Sequence, residues 1–294
     1  MPSLLSHPTL PIFTAAVKNT RRVFLLLLSV GALWSAGAAE TVAPPTKVLP
    51  IAGEVFLVRE RTAFLILPDG GTGTNAIPWV WYAPTLPALP GREEAWLVRQ
   101  FLDAGVAVAG IDVGESYGSP DGRALFTAFH EEMVAKRGLA SRPCLWARSR
   151  GGLMHYNWAV EHPESVAGIA GVYPVCNLES YPGLAQACGA YGLTEDGLRA
   201  ALAENNPVSR LEPLAKAGVP VHHIHGDKDH LVPHGPNSAL LAERYRALGG
   251  PMTLRILEGR GHDMWTGWFQ DRELVDFAIE RARAGAGQTK SGSR

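Results

Sequence analysis

The sequence predicts an α/β domain on a mostly parallel, twisted sheet with helices on both faces, and three observations carry that prediction. Short runs at 106–111, 144–148, 167–172 and 219–225 read as strands buried on both faces, the first three nearly apolar throughout and without alternation. Between them lie segments with the helical spacing of apolar residues. No internal repeat, low-complexity block or change of composition divides residues 40–294, so one domain is expected there.

Taken in order, 54–58 and 63–67 read as a pair of strands. The glycine-rich 69–75 reads as a loop before a strand at 79–82. A helix follows over 92–104, with Trp96, Leu97, Phe101 and Leu102 on one stripe. The strand at 106–111 leads through a Gly/Ser-rich loop, 112–122, to a helix at 123–136. The strand at 144–148 turns into a helix at 152–161, and the strand at 167–172 follows. Residues 177–206 break the alternation: Pro182, several glycines and one short helical run at 195–203 stand where a single helix should join two strands. They read as a small cap inserted over one end of the sheet. Strands at 219–225 and 252–257 and helices at about 235–248 and 271–284 complete the pattern.

Composition narrows the function classes. With 27 basic and 28 acidic residues the formal charge is −1, and the basic stripe of a nucleic-acid binder is missing. Residues 1–39 carry Lys18, Arg21 and Arg22 and no acids, then an apolar run from Val23 to Trp34 and the small residues Ser35 to Ala39. That run of about 12 residues is short of the roughly 20 that span a bilayer. It predicts a signal peptide cleaved near residue 39, hence an exported protein that meets a membrane only through this signal. Thr20-Arg21-Arg22-Val23-Phe24 also resembles a twin-arginine export signal. Export gives the three cysteines a second reading, in which Cys176 and Cys188 close a local disulfide and Cys144 stays a buried thiol.

The residues that carry chemistry start at Ala147-Arg148-Ser149-Arg150-Gly151, between a strand and a helix. A nucleophilic serine projects from a tight strand-to-helix turn only if the residues two before and two after it are small, and Ala147 and Gly151 fill those places. The same turn sets the Arg150 amide at the serine, where it can stabilise an oxyanion. Serine needs a base, and the base an orienting acid. His225-Gly226-Asp227-Lys228-Asp229-His230-Leu231-Val232-Pro233 follows one strand and Gly259-Arg260-Gly261-His262 the last, giving the order Ser149, Asp229, His262, each beyond a strand's C-terminal end. Asp227 competes with Asp229 for the role of acid.

The chain thereby resembles the α/β-hydrolase superfamily over roughly 54–281, and within it the dienelactone-hydrolase and prolyl-oligopeptidase-like branch, which shares the His-Gly-x-x-Asp-x-x-Val-Pro pattern at 225–233. The resemblance implies Ser149 as nucleophile, His262 as general base and then acid, and Asp229 as the carboxylate that sets the imidazole tautomer. It draws the second oxyanion donor from the loop after the third strand. The usual His-Gly pair is absent there and Pro84 has no amide proton, so the Thr85 amide is expected, with Ala83 behind it.

Around the expected mouth, Trp81, Tyr117, Trp265 and Trp268 are candidate substrate-binding residues, with core packing the competing reading for the indoles. Arg148 and Arg150 flank the nucleophile and either hold a substrate anion or pair with acids such as Glu115. The cluster His222, His223, His225, His230 and His234 suggests a metal, but His222 and His223 point to opposite faces of a strand and no zinc spacing is present, so neither metal nor cofactor is expected. The reading that results is an exported serine esterase, of the carboxylesterase kind, acting on a small-molecule or carbohydrate ester. A prolyl-oligopeptidase-like peptidase is the alternative, weakened because 40–294 leaves no room for the propeller such peptidases carry. A non-catalytic binding module on the same fold is the third.

Overall fold

The computed structural model describes residues 46–70 and 76–287. The signal peptide expected at 1–39, its cleavage site and most of the 69–75 loop lie outside the described residues. Among the described residues no helix is long and apolar enough to cross a membrane.

Eight strands form one sheet: β1 (Glu54–Val58), β2 (Arg61–Ile66), β3 (Trp79–Ala83), β4 (Ala107–Ile111), β5 (Cys144–Arg148), β6 (Gly168–Val172), β7 (Val221–Gly226) and β8 (Met252–Leu257). Their order is β1-β2-β4-β3-β5-β6-β7-β8. The β1–β2 and β2–β4 pairs are antiparallel and the other five parallel. The first hairpin closes through Arg59 and Glu60, both at positive φ (46° and 64°), the twist a two-residue turn requires even without the usual Asn-Gly.

The five central strands β3 to β7 are buried along their whole length, which is why β3, β4 and β6 read as unbroken apolar runs, while β7 buries three histidines. Alternation splits their side chains between two cores. After α1 (Ala95–Asp103) come α2 (Pro120–Arg137) and α3 (Gly151–Ala159), and on one face Trp79, Trp81, Leu145 and Ile169 pack with residues such as Phe126 and Phe129 of α2 and Tyr156 and Trp158 of α3. On the other, Val80, Tyr82, Cys144 and Trp146 meet Leu97, Val98 and Phe101 of α1 and the apolar stripe of the C-terminal helix, Arg272–Gly285.

Helix α2 begins three residues before the expected 123. Ser119 accepts the Gly122 amide and Pro120 occupies the first helical position, a start signal hidden inside what reads as a Gly/Ser loop. The insertion at 177–206 holds three short helices, α4 (Leu184–Ala187), α5 (Glu195–Ala200) and α6 (Leu202–Asn205), with a 3-10 turn at Cys188–Tyr191 between the first two. Its two ends are tied together: Asn206 Nδ2 donates to Asn177 Oδ1 at 2.8 Å, and the Leu178 amide donates to Asn206 Oδ1 at 3.1 Å. Leu178, Leu184, Ala187 and Leu198 form a third cluster with Tyr117, Leu153, Val175 and Val232, which seats the cap beside the carboxyl ends of β4, β5 and β7.

The disulfide expected between Cys176 and Cys188 is absent, all three thiols being free. Cys176 is fully buried and its thiol lies 3.6 Å from the Pro174 carbonyl, whereas Cys188 lies on the cap with its thiol turned to the Ala185 carbonyl. Burial pushes the Cys176 thiol well above its usual range and so keeps it protonated.

Candidate active site

Ser149 sits in the two-residue link between β5 and α3 at φ +49°, a left-handed conformation that a non-glycine residue holds only where its surroundings enforce it. Its amide donates to the Val172 carbonyl at 3.1 Å, and its carbonyl accepts from Gly152 at 2.9 Å and Val175 at 2.8 Å. The glycines expected at this turn are needed for space. A Cβ on Gly151 would lie 2.1 Å from the Ala83 carbonyl oxygen, and one on Gly152 would lie 2.3 Å from that of Val175. The same closeness brings the segment after β3 against the Ser149 turn.

Ser149 Oγ lies 2.9 Å from His262 Nε2, and His262 Nδ1 lies 2.8 Å from Asp229 Oδ2. The three side chains read from separate motifs thus form one hydrogen-bonded line at the carboxyl ends of β5, β7 and β8. Asp229 Oδ1 accepts the amides of Leu231 (3.1 Å) and Val232 (2.8 Å). Burial alone would raise this carboxyl, but the bonds from His225, His262 and the Val232 amide outweigh it and hold Asp229 well below the usual carboxylate range. Asp227 does different work: its carboxylate accepts the Gly259 amide at 2.6 Å and so anchors the loop that carries His262.

Of the other expected site residues, Thr85 is buried just past β3, its hydroxyl on the Tyr82 carbonyl and its backbone bridged to Asp112. Arg150 follows Ser149 directly and its guanidinium pairs with Glu115 at 2.9 Å, the surface pairing expected of it. Trp265, three residues past His262 in the chain, is exposed, with Arg260 stacked on its indole, 3.7 Å from the ring centroid. Tyr117 is nearly buried between the β4–α2 loop and the cap, its hydroxyl accepting from Gln186.

Two expectations are corrected. Trp81 does not lie at the mouth: its place in β3 turns it to the α2/α3 face, fully buried, with ring centroids 4.8 Å from both Phe126 and Trp158. Trp268 is also fully buried, donating from Nε1 to Asp263 Oδ1 at 2.8 Å and standing edge-on to Tyr173. It supports the His262 loop from beneath. The clustered histidines also part company: His222 faces Phe277 of the C-terminal helix and His223 bonds Tyr156 on the opposite face.

Sequence reasoning missed a network under the site. Arg148, on the same face of the sheet as Tyr82, is buried and bonds Glu94, Tyr82 and Tyr173, while Glu94 is wholly excluded from solvent. Glu94 also accepts from the Tyr82 hydroxyl (2.7 Å) and the Gly91 amide (2.8 Å). Tyr173, at φ +37°, lays its ring against His262 with centroids 4.2 Å apart. Arg148 therefore holds the platform under the imidazole, rather than a substrate anion. Nothing in the local sequence marks Glu94 as buried, since it reads as one of two acids opening a helix. Replacing one partner of a buried pair leaves the other charge uncompensated, so Glu94→Gln is expected to cost about 3–5 kcal/mol of stability. Urea denaturation checks this, and a paired Glu94→Leu, Arg148→Met variant should lose less than Glu94→Gln and Arg148→Met separately add up to.

No family model and no curated protein sequence matches the chain. Solved structures do. A puromycin-hydrolyzing peptidase of Mycobacterium tuberculosis superposes with a TM-score of 0.62 at 15% identity, covering 82% of this chain and 40% of its own. An S-formylglutathione hydrolase of Agrobacterium tumefaciens gives 0.60 at 17%, with 81% and 94% covered. Est1E from Butyrivibrio proteoclasticus gives 0.57 at 15%, with 78% and 98% covered. The chain thus spans about two fifths of the peptidase and nearly the whole of the other two. Sheet order, crossovers and these likenesses agree: the chain has the α/β-hydrolase fold.

Proposed function

We propose that this protein is a serine hydrolase that cleaves carboxylic esters through an acyl-enzyme on Ser149. The observation that carries the reading is the unbroken line from Ser149 Oγ through His262 to Asp229, held by three different strand ends. Ser149 Oγ attacks the acyl carbon while His262 Nε2 takes its proton. The oxyanion that forms accepts from the Arg150 amide and, as the second donor, the Thr85 amide. His262 then returns the proton to the leaving alcohol oxygen, and water, deprotonated by the same nitrogen, attacks the acyl-enzyme and frees the acid and Ser149. Asp229 stays ionised throughout and stabilises the transient imidazolium. Because its carboxyl is held so low, only protonation of His262 should limit activity on the acid side, giving a single limb of unit slope in the pH dependence of kcat/KM.

Trp265, on the loop that carries the base, is exposed and holds the Arg260 guanidinium on its indole, a set of N–H donors that sugar hydroxyls can accept from, so acylated carbohydrates are the substrate class to screen first. The near end-to-end likeness to an S-formylglutathione hydrolase and to Est1E supports the hydrolase reading. A peptidase is the second reading, favoured by the likeness to the puromycin-hydrolyzing peptidase. Residues 1–39 supply the proposed export signal, which N-terminal sequencing of the secreted or periplasmic protein checks.

The test is a pair of assays. Turnover of short p-nitrophenyl esters with none of prolyl or aminoacyl anilides is the expected result. The reverse preference would replace the esterase by the peptidase, and the absence of both, with no fluorophosphonate adduct on Ser149, would leave the binding module.

A further inference from the structure

Beyond Asp229, four side chains form one line of hydrogen bonds that takes no part in the proton transfers described above. Tyr156 Oη lies 2.7 Å from His223 Nε2, His223 Nδ1 lies 3.0 Å from Ser238 Oγ, and Ser238 Oγ lies 2.8 Å from His225 Nδ1. His225 Nε2 ends the line, 2.8 Å from the Val232 carbonyl and 3.4 Å from Asp229 Oδ2. All four are fully buried. The fold builds the line deliberately: His223 and His225, two apart on β7, share one face. Ser238 sits in a single wide turn in which the Ala239 amide reaches back five residues to His234. Gly171 on β6 leaves room for the ring, since a Cβ there would lie 2.4 Å from His223 Cδ2.

The direction of every proton in this line follows from its end. The Val232 carbonyl and the ionised Asp229 can only accept, so His225 Nε2 carries a hydrogen. A neutral His225 then accepts at Nδ1 from Ser238, Ser238 accepts from His223 Nδ1–H, and His223 Nε2 accepts from Tyr156. The reverse order would leave the buried Tyr156 hydroxyl hydrogen without an acceptor, because His223 is its one partner among the described residues. Burial holds His223 well below the usual imidazole range and so keeps it neutral, as the line requires.

We propose that His225 is a positioning residue for Asp229: locked as the Nε2–H tautomer by Ser238, His223 and Tyr156, it staples the 229–232 loop through Val232 and sets a hydrogen beside the carboxylate oxygen that receives His262. The inference rests on the reading of Ser149, His262 and Asp229 as the site. Other charges nearby are occupied: Lys228 pairs with Asp227, Arg260 lies on Trp265, and Arg148 pairs with Glu94, while the His234 ring lies 6.3 Å from that of His225. Without His225 the 229–232 loop loses its staple, and the Asp229 carboxylate loses a donor that shares its charge with His262. The imidazolium of His262 then gains relative to the imidazole.

The experiment has a structural arm and a kinetic one. Long-range proton–nitrogen correlation spectra of the wild-type chain should show His225 protonated at Nε2 and His223 at Nδ1, and the opposite tautomers would overturn the proposal without any substrate being involved. In the kinetic arm, His225→Phe should lower kcat about 10- to 100-fold with little change in KM. Its acid limb should move up by roughly half a pH unit. His225→Gln, which restores a donor, should recover part of both. Should His225→Phe fail to fold, Ser238→Ala, which removes one hydroxyl and frees the His225 tautomer, should shift the limb in the same direction with a smaller loss. A wild type that turns over ester while these variants match it in kcat and limb sinks this inference alone. A wild type with neither turnover nor fluorophosphonate labelling sinks the reading of the site beneath it.

Discussion

Ser149→Ala should abolish ester turnover, lowering kcat by about 10⁶-fold, because a triad acts as a unit and the loss of its nucleophile removes nearly all that the unit contributes. The fold should survive. Among the described residues the Ser149 side chain has one polar partner, His262 Nε2, while the bonds that fix the turn run through its backbone to Val172, Gly152 and Val175. Alanine tolerates the positive φ no worse than serine does, and the glycines that admit the turn remain. The variant should therefore match the wild type in thermal unfolding within about 0.5 kcal/mol, as expected away from core, cap and buried polar features. A fluorophosphonate, which bonds covalently to an activated serine oxygen, should label the wild type on Ser149 and leave the variant unlabelled. Equal turnover by the two proteins would remove Ser149 from the mechanism.

The fold and the hydrogen-bonded line of Ser149, His262 and Asp229 were legible in the sequence for the same reason. Parallel strands buried on both faces leave unbroken apolar runs, and in such a sheet reactive residues gather just past the carboxyl ends of those runs. Ser149, Asp229 and His262 are each announced by a strand and a glycine-bearing turn. What stayed hidden was the facing of individual side chains. In β3 all five residues are buried, so no polar partner marks which of Trp79, Val80, Trp81 and Tyr82 looks toward which core, and Trp81 could be taken for a residue at the mouth. Trp268 failed likewise: a four-residue helix, Thr266–Phe269, folds it under the His262 loop, and a turn so short carries no periodicity to read. Glu94, Arg148 and Tyr173 meet only in three dimensions, from a helix start and two strand ends. His225 stood in a recognised pattern, yet its contact with Ser238, 13 residues on, depends on the wide turn at Gly235–Ala239.

Asp229→Asn should lower kcat by about 10⁴-fold at neutral pH, through the wrong tautomer of His262. The two carboxylate oxygens of Asp229 have unequal tasks. Oδ1 accepts two amide hydrogens, from Leu231 and Val232, and only an oxygen can do so. An asparagine must therefore keep its carbonyl at that place and turn its NH₂ to the place of Oδ2, 2.8 Å from His262 Nδ1. There it donates, Nδ1 must accept, and the imidazole hydrogen moves to Nε2. A nitrogen that carries a hydrogen cannot take one from Ser149 Oγ, so the base is lost although every heavy atom keeps its position. The Nε2–H of His225 would then face a donor instead of an anion at 3.4 Å, removing the advantage of its placement. Spectra of the variant should show His262 protonated at Nε2, where the wild type carries its hydrogen on Nδ1. Single-turnover acylation by a p-nitrophenyl ester should slow in step with kcat. Wild-type acylation in a variant whose His262 has switched tautomer would mean that the imidazole is not the base, and would leave Ser149 activated by something other than the line of bonds described above.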